Sequence, residues 1–303
     1  MANDDKRGES RPAVAERAAE VIRRALAEPL AAGLYVVATP IGNLADITLR
    51  ALTVLARSDV ICCEDTRHSR TLLAHYAIAR PLRPYHEHNA ARERPRIMAD
   101  LAAGNSVALI SDAGTPLISD PGYKLVREAI DAGFPATVLP GPSAALAALT
   151  AAGLPTDTFL FGGFLPPRRK ARQSRLAELK DVPATLVLFE APSRLAECLH
   201  DIADVLGDRP AAVVRELTKL HEEVRRGRPS ELALWAHEAA PKGEIVVVVG
   251  PAAAEPVADA AIAERLAPLL ARMSLSDAAR AVAQDLGVAR GRVYDLALAL
   301  RGK

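Results

Sequence analysis

Val107-Ala-Leu-Ile-Ser-Asp-Ala-Gly-Thr-Pro-Leu-Ile-Ser-Asp-Pro-Gly-Tyr123 decides the reading of the fold. Residues 107–110 are a short apolar run that suits a strand buried on both faces of a parallel sheet. Turn formers follow, with Ser111, Asp112, Gly114 and Pro116. Ser119-Asp-Pro121 then reads as a helix start, with Asp120 as N-cap and Pro121 in the first helical position. This connection takes about ten residues where plain βα loops take about two to six. Open α/β sheets bind ligands outside the carboxyl ends of their strands. Small side chains and prolines present a preset backbone here, so residues 111–120 are expected to form a binding loop.

The alternation continues in both directions and predicts a mostly parallel sheet. Upstream, strands at 34–39, 59–63 and 82–85 alternate with helices at 46–56, 69–76 and 94–103. The strand at 82–85 belongs at an edge, because Pro84 cannot donate to a ladder. Downstream come a helix at 122–132, a strand at 136–139 and an Ala-rich helix at 144–152. Gly153-Leu-Pro-Thr-Asp157 marks a boundary, and the α/β style then resumes. Strands are expected at 158–164, 184–189, 211–214 and 244–249, with helices at 168–179, 195–206 and 231–239. The predicted architecture is α/β, with one domain at 33–153 and a second at 154–250. A helical piece at 258–303 follows, with Ser276 as a cap, and within it Ser274 to Tyr294 reads either as a helix-turn-helix-like unit or as part of a small accessory cap. The extension at 1–32 is expected to be disordered through residue 11 and loosely helical beyond it.

At 303 residues, half of them hydrophobic, the chain can bury two cores. A net charge of +1 gives no global signal for nucleic acid, so any such signal must be local. Cys62 and Cys63 are adjacent and Cys198 stands alone, which reads as reduced structural thiols with no metal site. No apolar run approaches ~20 residues, and the polar N-terminus has no signal-peptide core. A cytoplasmic protein without a membrane partner is expected.

Four loops follow strands: 39–43, 64–67, 111–120 and 140–143. None is a Walker loop or a G-x-G-x-x-G fingerprint, which argues against nucleoside triphosphates and NAD. Three are nearly uncharged and rich in Pro and Gly, suiting an uncharged ring system and a zwitterionic tail held by backbone groups. Glu64-Asp-Thr-Arg67 reads either as a helix start, capped by Asp65 or Thr66 with Glu64 pairing Arg67, or as a polar cluster beside a cleft. Glu190, Arg194, Arg215, Glu216 and Lys219 also lie just past strands. A base for a hydroxyl can be a carboxylate or a lysine of shifted pKa, and Glu64, Asp65, Glu190, Glu216 and Lys219 are the candidates. Three basic runs stand out in a near-neutral chain: Arg168-Arg-Lys-Ala-Arg-Gln-Ser-Arg175, Arg225-Arg-Gly-Arg228, and Arg92, Arg94 and Arg96 near His86 and His88. Each is either a solvated face or part of a phosphate-binding patch.

Taken together, Val37-Ala-Thr-Pro-Ile-Gly-Asn43, Glu64 to Arg67, Ser111 to Gly122, Leu139-Pro-Gly-Pro-Ser143, Phe161-Gly-Gly-Phe-Leu-Pro166 and Arg215-Glu-Leu-Thr-Lys219 resemble the 16S rRNA (cytidine-2′-O)-methyltransferases of the tetrapyrrole methylase superfamily. The resemblance runs in order from about residue 34 to 250. It implies S-adenosyl-L-methionine bound between two α/β domains, usually in a homodimer. The implied partner is 16S rRNA in the small ribosomal subunit, methylated on a cytidine ribose in the decoding region, with no DNA and no metal. It further implies that Ser111, Asp112, Ala113, Gly114 and Thr115 line the cofactor, with Pro142, Ser143 and Ala144 close by. Pro40, Gly42 and Asn43 would border these cofactor loops at the substrate entry, and Phe164 and Leu165 would close the cleft. Arg67, in the same cluster as Glu64 and Asp65, is counted with the catalytic candidates. RNA contacts are expected from Arg168, Arg169, Lys170, Arg172, Arg194, Arg215, Arg225 and Arg226. Tetrapyrrole members carry G-x-G-P-G-D after the first strand. This chain has Thr39-Pro-Ile-Gly-Asn43 there, which weakens a porphyrinoid substrate. The rival readings are a small-molecule methyltransferase on this fold and a non-catalytic RNA-binding assembly factor.

Overall fold

The computed structural model describes residues 6–252 and 258–301. A first helix, α1 (Lys6–Ala27), opens the chain. The disorder expected through residue 11 therefore does not hold from Lys6 onward, where Lys6, Arg7, Glu9 and Arg11 are good helix formers despite their polarity, and residues 1–5 lie outside the described ones. The first half then runs β1 (Gly33–Val37), α2 (Leu49–Arg57), β2 (Val60–Cys63), α3 (Thr66–His75), β3 (Leu82–Pro84), α4 (Ala90–Ala102), β4 (Ser106–Leu109), α5 (Tyr123–Asp131), β5 (Ala136–Leu139) and α6 (Ala144–Ala152). Its five strands are all parallel, in the order β3-β2-β4-β1-β5. Pro84 lies on the edge strand, as its missing donor requires. One buried cluster, with Val37, Leu55, Ile61 and Ile110, covers one side of this sheet, and another, with Leu34, Ile97, Val107 and Leu125, covers the other.

The second half is β6 (Phe159–Phe164), α7 (Arg169–Leu179), β7 (Thr185–Glu190), α8 (Leu195–Leu206), β8 (Ala211–Arg215), β9 (Glu223–Gly227), α9 (Pro229–Ala239) and β10 (Ile245–Val249). Its strand order is β6-β7-β10-β8-β9. This sheet is mixed: β10 runs antiparallel to both its neighbours, and β9 pairs antiparallel with β8. Because β7 and β8 flank the same antiparallel strand, they point the same way. Glu190 and Arg215 both pair with Ile245, so the charged segments after β7 and β8 emerge at one edge.

Helix α6 belongs to the first half in sequence but packs on the second sheet. Its Ala145, Ala148, Leu149 and Ala152 share a buried cluster with Val187, Val214 and Val248, and Ile41 joins them. Alanine at these positions lets helix and sheet backbones approach closely. Residues 258–301 form a separate compact unit of α10 (Asp259–Leu270), α11 (Leu275–Leu286) and α12 (Arg290–Arg301) around Ile262, Leu266, Ala278, Val282 and Val293. The cap of α11 is Ser274, whose side chain accepts from the Asp277 N–H, and not Ser276.

All three cysteines are buried and unpaired. Among the described residues, no helix is long and apolar enough to cross a membrane.

Arg172 is fully buried, and its guanidinium donates to Asp201, itself 1% exposed, at 2.7 Å. An uncompensated charge inside a core is costly. Asp201→Ala is therefore expected to destabilise this half by about 3–5 kcal/mol. The readout is a lowered urea midpoint in the fluorescence of Trp235, the single tryptophan, which packs on the same core.

Candidate active site

Three strand-end loops of the first sheet are stitched together. Thr39 and Gly114 exchange backbone hydrogen bonds at 2.9 and 3.0 Å. The Thr39 hydroxyl donates to the Ser111 carbonyl, and the Thr115 hydroxyl to the Pro142 carbonyl. Gly114 holds φ +78°, and a Cβ there would press on Ile41. The fourth loop joins through Asp65, whose N–H donates to Asp112 at 3.0 Å.

These loops form one wall of a cleft of about 400 Å³, within the ordinary size range of small-molecule pockets. Its lining includes Ile41, Gly114 and Asp120 from the first half and Phe164, Glu190 and Ile245 from the second. Of the expected cofactor residues, Ala113, Gly114, Thr115, Ser143, Ala144 and Phe164 line it. Ser111, Asp112 and Pro142 stand behind that wall as its hydrogen-bonded support. Leu165 is buried in the core of the second half and does not reach the cleft surface. Pro40, Gly42 and Asn43 are outside the lining as well. Asn43 caps a short 3₁₀ turn at Leu44–Asp46. Gly42 lies where a Cβ would stand 2.4 Å from Lys219 Cγ and 2.9 Å from the Leu217 carbonyl. The two halves of the molecule meet at that point.

The polar candidates separate by environment. Asp65 caps α3 through the Arg67 N–H, and the Arg67 side chain pairs with it. These bonds hold its carboxyl down at about 2, where it is a poor proton acceptor. The expected Glu64–Arg67 pair is replaced by this one, and Glu64 stands apart. Burial, helped by Asp112, raises the Glu64 pKa, but its side chain is outside the cleft lining. Lys219 bridges Glu216 and Glu244 at 2.9 and 3.0 Å. Burial opposes its charge, yet those two carboxylates keep its pKa above the usual lysine value, so it is no neutral amine base. Bonds from the Glu244 N–H and from Lys219 hold Glu216 below the usual carboxylate range. Glu190 lines the cleft and pairs with Arg194 through Oε1, while Oε2 is buried without a partner, near the Cys198 thiol.

Asp120 is the residue that sequence reasoning misplaced. Helix α5 starts at Gly122, with φ +139°, and not at Asp120. The carboxylate lines the cleft instead of capping a helix. Burial, opposed by a hydrogen bond to Ser111 and reinforced by the charges of Glu64 and Asp112, pushes it up to about 6.

Most of the expected RNA-contact arginines are already bonded. Arg172 is fully buried and cannot touch RNA. Arg169 pairs with Asp201 and Asp204, and Arg194 with Glu190. Arg215 is tied to Glu223 and to the Lys242 carbonyl. Arg225 lies over the Trp235 ring, and Arg226 donates to carbonyls at the end of α6. Arg168 and Lys170 remain exposed, with no ion pair among the described residues. In the third run, Arg92 and Arg96 pair with Glu93, and Arg94 with Glu128.

The family model described as Tetrapyrrole (Corrin/Porphyrin) Methylases matches residues 33–233. The crystal structure of a uroporphyrin-III-C-methyltransferase from Thermus thermophilus superposes with TM-score 0.54 and 26% identity, covering 72% of this chain and 94% of that one. That of the methyltransferase CobJ gives 0.56 at 20% identity, over 75% and 97%. The fold is that of the S-adenosyl-methionine-dependent methyltransferases of tetrapyrrole methylase type. A ribosomal RNA small subunit methyltransferase I from Mesorhizobium japonicum is 55% identical over 277 residues, 91% of this chain and 94% of that protein. One from Escherichia coli O157:H7 is 45% identical over 273 residues, 89% and 96%. The model described as RsmI C-terminal HTH domain matches residues 256–301. The chain belongs to the ribosomal RNA small subunit methyltransferase I family.

The cleft suits the cofactor. Apolar walls of Ile41, Phe164, Phe189 and Ile245 fit an adenosine, and the Glu190 carboxylate, with the backbone groups of residues 113–115, fits a ligand carrying a sulfonium and an ammonium. Two outcomes are expected. Gly42→Val pushes the halves apart where they meet and weakens S-adenosyl-methionine binding by roughly tenfold or more, about 1.4 kcal/mol per decade, in equilibrium dialysis. Asp120→Asn removes a charge whose folded pKa lies above the unfolded value of 3.8. Such a charge lowers stability once pH rises through the folded pKa and has no effect below the unfolded one. The variant therefore melts above the parent at pH 7.5, and the gap closes as pH falls through about 6 towards the unfolded value.

Proposed function

We propose that this enzyme transfers a methyl group from S-adenosyl-methionine to the 2′-hydroxyl of a cytidine in the decoding region of 16S rRNA. The observation that carries the reading is the cleft itself. A preset Pro/Gly backbone wall with carboxylates faces apolar residues of the second half, in a chain whose relatives are named for the small-subunit RNA. The cofactor supplies an electrophilic methyl group. The residues of this chain supply alignment, which is worth up to ~7–11 kcal/mol when reacting atoms are held in line. The bonded loops 111–115 and 142–144 fix the cofactor side, and the apolar walls exclude water. A ribose hydroxyl acceptor also gives the enzyme its means of telling RNA from DNA.

The exposed cations at the start of α7, Arg168 and Lys170, are the RNA contacts this reading favours on the α/β part. The helix-turn-helix unit at residues 256–301 supplies another RNA-binding element. The working form is a homodimer, as the sequence resemblance implies. Val138, on the free edge strand β5, and Leu146 of α6 are exposed apolar residues consistent with that.

Tritiated methyl transfer to small subunits lacking ribose methylation tests the reading. Label is expected on the ribose of a decoding-region cytidine, with little or none on a porphyrinoid. Label on a base, or on a small molecule alone, would overturn it.

A further inference from the structure

Asp120 shares the cleft wall with two other carboxylates, Glu190 and Glu244. Those two are neutralised, by Arg194 and Lys219 respectively. Asp120 has no such partner among the described residues. The charges acting on it are those of Glu64 and Asp112, both negative, and only the nearby Ser111 side chain works against them. The backbone that carries it is held in an unusual shape, with Leu117 at φ 74° and Ser119 at φ 65°. Residues with a Cβ adopt such conformations only when the surrounding structure enforces them. The effect is to delay the start of α5 to Gly122 and leave the Asp120 carboxylate facing the cleft.

We propose that Asp120 is the proton acceptor in the methyl transfer, a role that rests on the ribose-hydroxyl reading above. As the 2′-oxygen forms its bond to the methyl carbon, the carbon–sulfur bond breaks and its electron pair returns to sulfur. The hydroxyl proton passes to a carboxylate oxygen of Asp120. One positive and one negative charge disappear together, leaving a methyl ether, a neutral thioether and a neutral acid. The surroundings suit the task. Burial and two like charges raise the pKa to about 6, and a base works best when its pKa lies near the working pH. Asp65, Glu216 and Lys219 are held away from that range by their partners.

The test is single-turnover transfer to unmethylated small subunits at saturating cofactor, from pH 5 to 9, with cofactor affinity measured by calorimetry. In the parent, the rate is expected to fall about tenfold per pH unit below the Asp120 pKa. Asp120→Asn should be slower by about 10²–10⁴-fold, keep its cofactor affinity within a few-fold, and lose the acid limb of the profile. Glu64→Gln removes a like charge, lowers the Asp120 pKa, and should move that limb to lower pH. Full single-turnover rate in Asp120→Asn overturns the proposal. So does a loss confined to cofactor affinity, which would make Asp120 a binding group for the cationic cofactor, and so does an acid limb unmoved by Glu64→Gln. A parent that labels no ribose fails at the earlier step and overturns the ribose-hydroxyl reading itself, whereas an active parent with an equally active Asp120→Asn removes only this assignment.

Discussion

Two backbone hydrogen bonds between Thr39 and Gly114 fix where everything else in the cleft must be. They tie the loop after β1 to the loop after β4. A left-handed residue at 114 and a small one beside Ile41 are required for the tie to form. Once it is made, the Ser111 carbonyl is in reach of the Thr39 hydroxyl, and Thr115 is in reach of Pro142. Backbone amides are obligatory hydrogen-bonding groups, so a wall built by pairing them with each other keeps its shape before any ligand arrives.

The second half is joined to that wall by contacts that leave little slack. Helix α6 carries the chain from the β5 loop directly onto the second sheet, and Ile41 packs into the same cluster. Outside the cleft lining, Gly42 approaches Lys219 and Leu217 too closely for any side chain. Two halves held in such close contact are suited to in-line transfer, in which misplacement of reacting atoms is costly.

Much of this was legible in the residues. Apolar runs such as 245–249 and 107–110 located the central strands, and the turn-rich segments after them located the wall. Elements that depend on distant partners were not legible. Strand β9 has a single inward apolar residue, Val224, and reads as a charged loop until β8 is beside it. Arg172 lay inside an apparent basic patch. A signal was available, because Arg172, Leu176 and Leu179 are spaced i, i+4, i+7 and therefore share the buried stripe of α7. Its partner Asp201 lies 29 residues away on α8, beyond any local rule. Asp120 was misread for a related reason. Asp-Pro is a good local helix start, but the positive φ values at Leu117, Ser119 and Gly122 moved the start by two residues. Local preference lost to the shape of the binding loop.

The paired arginines bear on how RNA is held. Binding to a polyanion draws on the ions released when cations meet phosphates, and the salt dependence of affinity scales with the number of such meetings. A guanidinium already satisfied by a carboxylate or a carbonyl within the same chain brings no such release. Arg169, Arg194, Arg215 and Arg226 are in that state. On the α/β part, therefore, a change in ionic strength perturbs affinity less than the raw arginine content implies.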